Sequence, residues 1–173
     1  MPWRQVARPE EAGFSSEGLA RARAAAEEAG SASVFVVSRG RVLAAWGDVT
    51  RGGRCHSVRK SLLSALIGIH VGAGRMDTDA TLAELGIDDL QPLTEVERRA
   101  RVVDLLRARS GVYHPAAKEP ADMRAHRPAR GSHEAGTHWW YNNWDFNTLA
   151  TILMQETGVD VFEAFDEHFG QPL

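Results

Sequence analysis

Four polar residues in the stretch Ser57-Val58-Arg59-Lys60-Ser61-Leu62-Leu63-Ser64 are spaced so that they could do chemistry together. Ser57, Lys60, Ser61 and Ser64 fall on one face of a helix that turns once every 3.6 residues or so. The stretch from Ser57 to Gly72 is otherwise apolar on most sides, so this helix is expected to be buried rather than to lie on a surface. An amino group carried into such surroundings is costly unless something compensates it. Lysine readily becomes a base when its environment is dry, which makes Lys60 a candidate general base. Ser57, one turn earlier, lies within hydrogen-bond reach of that amine, as an activated nucleophile requires. Its backbone N–H is among the unpaired donors of the first helical turn and is available to a developing oxyanion. A Ser-x-x-Lys match is short, and a capped helix with a solvated lysine carries the same letters.

A second segment, Gly136-Thr137-His138-Trp139-Trp140-Tyr141-Asn142-Asn143-Trp144, leads into a helix expected to begin near Asp145. On such a loop Tyr141 can relay a proton, and Asn143, two residues on, can orient a substrate amide or carbonyl. The competing reading makes Trp139, Trp140, Tyr141 and Trp144 a core cluster capped by Asn143 or Asp145. His114, His126, His133 and His138 lie in or beside the preceding loop, but their spacings match no zinc pattern and Cys55-His56 is remote in sequence. They are expected to line a pocket or face solvent, with no metal and no organic cofactor. Arg124, Arg127 and Arg130 read as a solvated loop, with recognition of an acidic substrate group as the alternative.

The elements that must position these residues can be followed along the chain. Ser15 or Ser16 caps a helix that runs through Leu19–Arg23 and stops near Gly30. Ser33–Val37 and Val42–Trp46 flank Arg39-Gly40 and predict a β-hairpin. Thr94-Glu95-Val96-Glu97 is a capping box, predicting a helix that continues through Val102–Leu106 until Ser110-Gly111. A long Pro-, His- and Arg-containing loop, about 113–137, is of a length that is usually functional or mobile. Two helices follow, Trp144–Thr157 ending at Gly158 and Val161–Phe169 ending at Gly170. One hairpin is marginal in water, so its strands need partners that this sequence does not supply.

The order of these pieces carries more than any one of them. A hairpin precedes Ser57-x-x-Lys60 on a helix. Then come Gly74-Arg75-Met76-Asp77, Asp104-Leu105-Leu106 with Ser110-Gly111-Val112, and Tyr141-x-Asn143 before Phe146-Asn147-x-Leu149. From about Val6 to the final Gly170-Gln171-Pro172-Leu173 the chain resembles the N-terminal portion of the class C beta-lactamase-like serine hydrolases, which include DD-peptidases and penicillin-recognising esterases. The resemblance implies that Ser57 attacks a carbonyl and becomes acylated. It implies that Lys60 takes the serine proton with help from Tyr141, that Tyr141 then shuttles protons, and that Asn143 contacts the acyl side chain. The implied fold is α+β: an N-terminal helix and hairpin (residues 1–50) belonging to a larger antiparallel sheet, and a mostly helical active-site region (51–173). The family's third motif, a Lys- or His-containing strand followed by Gly, is not in this sequence. That strand supplies the second oxyanion donor, and losing one such donor costs roughly 100- to 1000-fold in rate. Without further strands, the hairpin edge and one face of the Ser57 helix are expected to be uncovered.

Composition narrows the remaining classes. The 173 residues carry 20 Lys plus Arg against 23 Asp plus Glu, a net charge of −3. Neither sign dominates, which argues against a nucleic-acid or membrane-surface partner. The single cysteine, Cys55, excludes an intrachain disulfide. No apolar run follows Met1-Pro2-Trp3-Arg4-Gln5, and the longest apolar-rich stretch, 62–71, is too short to span a bilayer, so a cytoplasmic protein is expected. The expected partners are a small acyl substrate and, through the open strand edge, a second copy or a complementing C-terminal half. Two functions stay open. One is a hydrolase of esters, amides or lactams acting through Ser57; the other is a catalytically silent relative that binds a ligand or a partner.

Overall fold

The computed structural model describes residues 3–172 and divides the chain into two compact units, Met1–Arg54 and Cys55–Leu173. In the first, Ser15 Oγ accepts the Gly18 N–H at 3.0 Å and starts α1 (Ser16–Glu28). Strands β1 (Ser33–Ser38) and β2 (Arg41–Gly47) pair antiparallel around Arg39-Gly40, whose φ values of 48° and 71° are those of a type I′ turn. The register slips between Val36 and Val37. The segment at Arg4–Val6, which carries no obvious strand pattern, also bonds β2: Val6 N–H to Val42 O at 2.9 Å and Val42 N–H to Arg4 O at 2.8 Å. Among the described residues the sheet has two strands, and the Phe35 and Val37 side of β1 is exposed.

The second unit is built around α5 (Trp144–Thr157), a helix that the αL residue Gly158 (φ 70°) ends. Trp144, Leu149, Ile152 and Leu153 of α5 share one buried cluster with Leu66 and Ile67 of α2 (Arg59–Gly72), and with Met76, Leu82, Leu105 and Val112. The expectation that this helix is buried rather than on a surface is corrected here, whereas the expected uncovered face is present. On α2, Lys60, Leu66, Ile67 and His70 are buried, whereas Leu62 and Ile69 are exposed, because nothing within this unit covers that side.

The single helix expected from Thr94 to Ser110 is also corrected. The capping box does form, with Thr94 N–H donating to Glu97 Oε2 at 2.8 Å and Glu97 N–H to Thr94 Oγ1 at 3.2 Å. Only one 3₁₀ turn, Glu97–Arg99, follows it. The carbonyls of Arg98 and Ala100, which a helix would use, accept instead from Ala83 and Leu82 N–H at 3.0 and 2.9 Å. A new helix, α3 (Val102–Leu106), starts after the break, with Arg101 N–H donating to Asp104 Oδ2 at 3.0 Å.

The long loop contains one short helix, α4 (Ala121–Ala125), and is tied down by charge. Arg130 makes a two-pronged pair with buried Glu97, at 2.9 and 2.7 Å. His114, 1% exposed, bonds through Nδ1 to Asp89 Oδ2 at 2.9 Å, and Trp144 Nε1 donates to the same oxygen at 2.8 Å. Arg127 pairs with Glu119, so two of the three loop arginines are engaged within the protein rather than solvated. After α6 (Val161–Phe165) the chain goes on as a π-type turn, Asp166–Gly170, in place of regular helix. Among the described residues, no helix is long and apolar enough to cross a membrane.

His70 of α2 is buried against the ring of His168 (centroids 5.3 Å apart), and neither of its ring nitrogens has a partner. Burial first, then the charges of Arg75 and His168, holds its pKa below the usual imidazole value of 6.5. The unfolded chain therefore takes up this proton more readily than the fold does. Stability is unaffected by His70 above that pH and falls as pH drops through and below it. In urea titrations, His70→Phe is expected to flatten the fall in stability below the usual imidazole pKa; an unchanged slope would assign the fall to other groups.

Candidate active site

The site begins at a strained residue. His56 has φ 44°, a left-handed conformation that a side chain with a Cβ adopts only at a cost of roughly 1–3 kcal/mol. It opens a 3₁₀ turn, His56–Val58, so Ser57 sits on the turn leading into α2 rather than within the helix itself. Lys60, in the first turn of α2, is 7% exposed. Its Nζ donates to Ser57 Oγ at 3.2 Å and to Asn143 Oδ1 at 2.8 Å. The same nitrogen lies 4.8 Å from the centre of the Tyr141 ring and 5.3 Å from that of Phe146. Ser57, Lys60, Tyr141 and Asn143 are thus brought together from positions more than 80 residues apart in sequence.

Asn143 occupies the residue before α5, but its side chain does not cap that helix. Its Oδ1 faces Lys60, and its Nδ2 donates to the carbonyls of Ala117 and Lys118 at 3.3 and 3.1 Å. A buried amide can do this only if the loop turns its carbonyls inward, which it does at Lys118 (φ 58°). Asn143 is 6% exposed, and its hydrogen-bonding atoms are engaged within the protein.

Tyr141 is partly exposed at the rim. Burial pushes its phenol up, but its interactions with the Ser57 and Lys60 side chains and the charges of Lys60 and Arg59 outweigh this and hold it below 10. A cavity of about 380 Å³ opens between these groups, lined by Ser57, Lys60, Ser61, Ser64, Leu106, Tyr141 and Phe146. The whole polar stripe of the helix therefore faces one space, Ser61 and Ser64 included. That arrangement offers a hydroxyl beside an amine, with a phenol of lowered pKa across from both, which suits attack on a carbonyl.

The segment carrying Tyr141 rests on the turn after α3. Trp140 N–H donates to Ala108 O at 3.0 Å and Gly136 N–H to Arg109 O at 2.8 Å. Gly111 (φ 73°) lets the loop pass so closely that a Cβ there would meet His133 O at 2.8 Å. Ser110 Oγ donates to Asp145 Oδ1 at 2.6 Å, joining this turn to α5. The sequence marked Ser110-Gly111 as a helix stop and as part of the family pattern, and Asp145 as the start or cap of a helix, but nothing in it announced the bond between Ser110 and Asp145. Among the described residues, no three His, Cys, Asp or Glu side chains group in a way that could hold a metal ion. His133 and His138 stack on each other at 3.9 Å, and His126 is exposed. Replacing Asn143 by Ala removes a buried amide that bonds both Lys60 and the loop. A stability loss of about 2 kcal/mol is expected from denaturant unfolding, with faster hydrogen exchange around Ala117 and Lys118; a loss confined to α5 would contradict the bridge.

Comparison with known proteins adds the family. The family model described as Beta-lactamase matches residues 17–173. No curated protein matches the chain. Among solved structures, SurE with D-Leu is similar at TM-score 0.62 and 22% identity, over 95% of this chain and 39% of that one. A class C beta-lactamase in complex with cefoxitin is similar at 0.59 and 16%, over 86% and 46%. FmtA from Staphylococcus aureus is similar at 0.60 and 15%, over 99% and 52%. The chain thus spans roughly half, or less, of the length of each of these structures. Their fold is the one described above, an α+β arrangement of the beta-lactamase/transpeptidase type, and the match from residue 17 onward makes this chain a member of the beta-lactamase family.

Proposed function

We propose that the cavity is the acylation site of a serine hydrolase that forms an acyl-enzyme on Ser57 with an ester, amide or beta-lactam. The observation that carries this is the position of Lys60 Nζ, 3.2 Å from Ser57 Oγ and fixed there by Asn143 at 2.8 Å. In the proposed reaction Ser57 Oγ bonds to the substrate carbonyl carbon, and its proton passes to the pair formed by Lys60 and Tyr141, which takes it up in the form where one of the two has already lost its own proton. As the tetrahedral intermediate collapses, the bond to the leaving group breaks and Tyr141 delivers a proton to it. The Ser57 backbone N–H supplies one oxyanion donor.

A second reading, a catalytically silent member that binds a ligand or partner, is favoured by an apolar groove of about 530 Å³ beside the site, lined by Leu62, Leu63, Leu66, Phe146, Ala150 and Phe165 among others. Covalent labelling separates the two. Incubation with a penicillin, a cephalosporin, a p-nitrophenyl ester and a fluorophosphonate is expected to add one adduct to the intact mass, lost in Ser57→Ala and Lys60→Ala. Tyr141→Phe is expected to slow adduct formation by about 100- to 10,000-fold, the range of general acid–base catalysis. No adduct from a folded chain would favour the binding reading. The lowered phenol gives a further expectation: in Lys60→Met, ultraviolet titration places Tyr141 ionisation at higher pH than in the native chain, since a neighbouring positive charge has gone.

A further inference from the structure

Asp145 is wholly buried, and no step proposed above uses it. Its Oδ1 accepts from Ser110 Oγ at 2.6 Å, while Oδ2 has no partner. Its backbone N–H donates to Asn142 Oδ1 at 2.8 Å, and Asn142 Nδ2 donates to Trp140 O at 2.9 Å. Ser110 Oγ in turn accepts from Val112 N–H at 3.0 Å. The chain of bonds from Ser110 through Asp145 and Asn142 to Trp140 therefore grips the backbone on both sides of Tyr141.

The charged and titratable groups facing Asp145 are Asp104 of α3 and Tyr113. Both are neutral or negative, so neither favours ionisation of Asp145. Burial, assisted by the charge of Asp104, raises the Asp145 carboxyl to about 7 against the pull of Ser110 and Asn142. An ionised carboxylate only accepts, and a buried one demands donors. Besides Ser110, whose hydroxyl and backbone N–H both favour the ionised form, the donor near the carboxyl is the Asn142 amide, whose Nδ2 now serves Trp140 O.

We propose that Asp145 is a positioning residue for Tyr141: protonated, it keeps the chain from Ser110 to Trp140 in the arrangement that aims the phenol at Ser57 and Lys60, and ionised, it draws the Asn142 amide off Trp140 and loosens that aim. The functional half of this inference rests on Tyr141 being the proton relay proposed above, whereas the structural half does not.

The test uses the full chain with two readouts. Backbone amide shifts of Trp140, Tyr141 and Asn142, followed by NMR through neutral pH, are expected to share one midpoint near 7. That titration disappears in Asp145→Asn. In Ser110→Ala it moves to higher pH, because a donor to the carboxylate has been removed, and this variant serves if Asp145→Asn fails to fold. The rate of adduct formation at Ser57 is expected to fall through the same midpoint in the native chain and to lose that inflection in Asp145→Asn. Amides that do not titrate, or variants that lower Tm while leaving both profiles unchanged, would overturn the proposal. Amides that titrate as expected on a chain that takes no adduct at any pH would uphold the structural coupling and count against the hydrolase reading alone.

Discussion

An amino group can be carried into a protein interior only where polar groups already wait for it. Lys60 meets that condition on the polar stripe of a helix that is otherwise largely apolar, and much of the second unit follows from how it is met. Asn143 must stand at the head of α5 with its carbonyl oxygen turned toward α2, which gives up its use as a cap. The amide nitrogen must then find acceptors, so the loop turns the carbonyls of Ala117 and Lys118 inward. The rings of Tyr141 and Phe146 lie beside the amine, with their centres 4.8 and 5.3 Å from it. One buried nitrogen thus ties together α2, α5 and a loop remote from both in sequence.

The same constraint explains why the loop is held so firmly. A 25-residue connection without regular structure would give Asn143 no fixed acceptors. Here it is pinned at His114 by Asp89 and at Arg130 by the buried carboxylate of Glu97. Glu97 also caps its own short turn through Thr94, so a single side chain serves two segments. Each link ends on a carboxylate that is partly or wholly buried, where a hydrogen bond is stronger than on a surface and its removal costlier.

The features legible in the sequence were those decided locally. The Ser15 cap, the Arg39-Gly40 turn and the bounds of α5 each depend on residues within a few positions of one another. The spacing of Ser57, Lys60, Ser61 and Ser64 was enough to put them on one face, and that face does line the cavity. What escaped was set by residues distant in the chain. The helix expected after Thr94 breaks at Ala100 because Leu82 and Ala83 compete for its carbonyls. The left-handed His56, the inward turn at Lys118 and the bond between Ser110 and Asp145 have no local pattern to announce them. Burial of His114 was equally hidden, since its partner Asp89 lies 25 residues away.

The central claim is that one hydroxyl of the polar stripe is activated and its neighbours are not. Ser61 and Ser64 line the same cavity as Ser57, yet the hydrogen bond from Lys60 goes to Ser57. The most direct measurement is fragmentation mass spectrometry of the fluorophosphonate-treated chain, locating the modified residue. The account predicts phosphonylation at Ser57, with Ser61 and Ser64 unmodified. Modification spread over the three serines, or confined to Ser61 or Ser64, would contradict it.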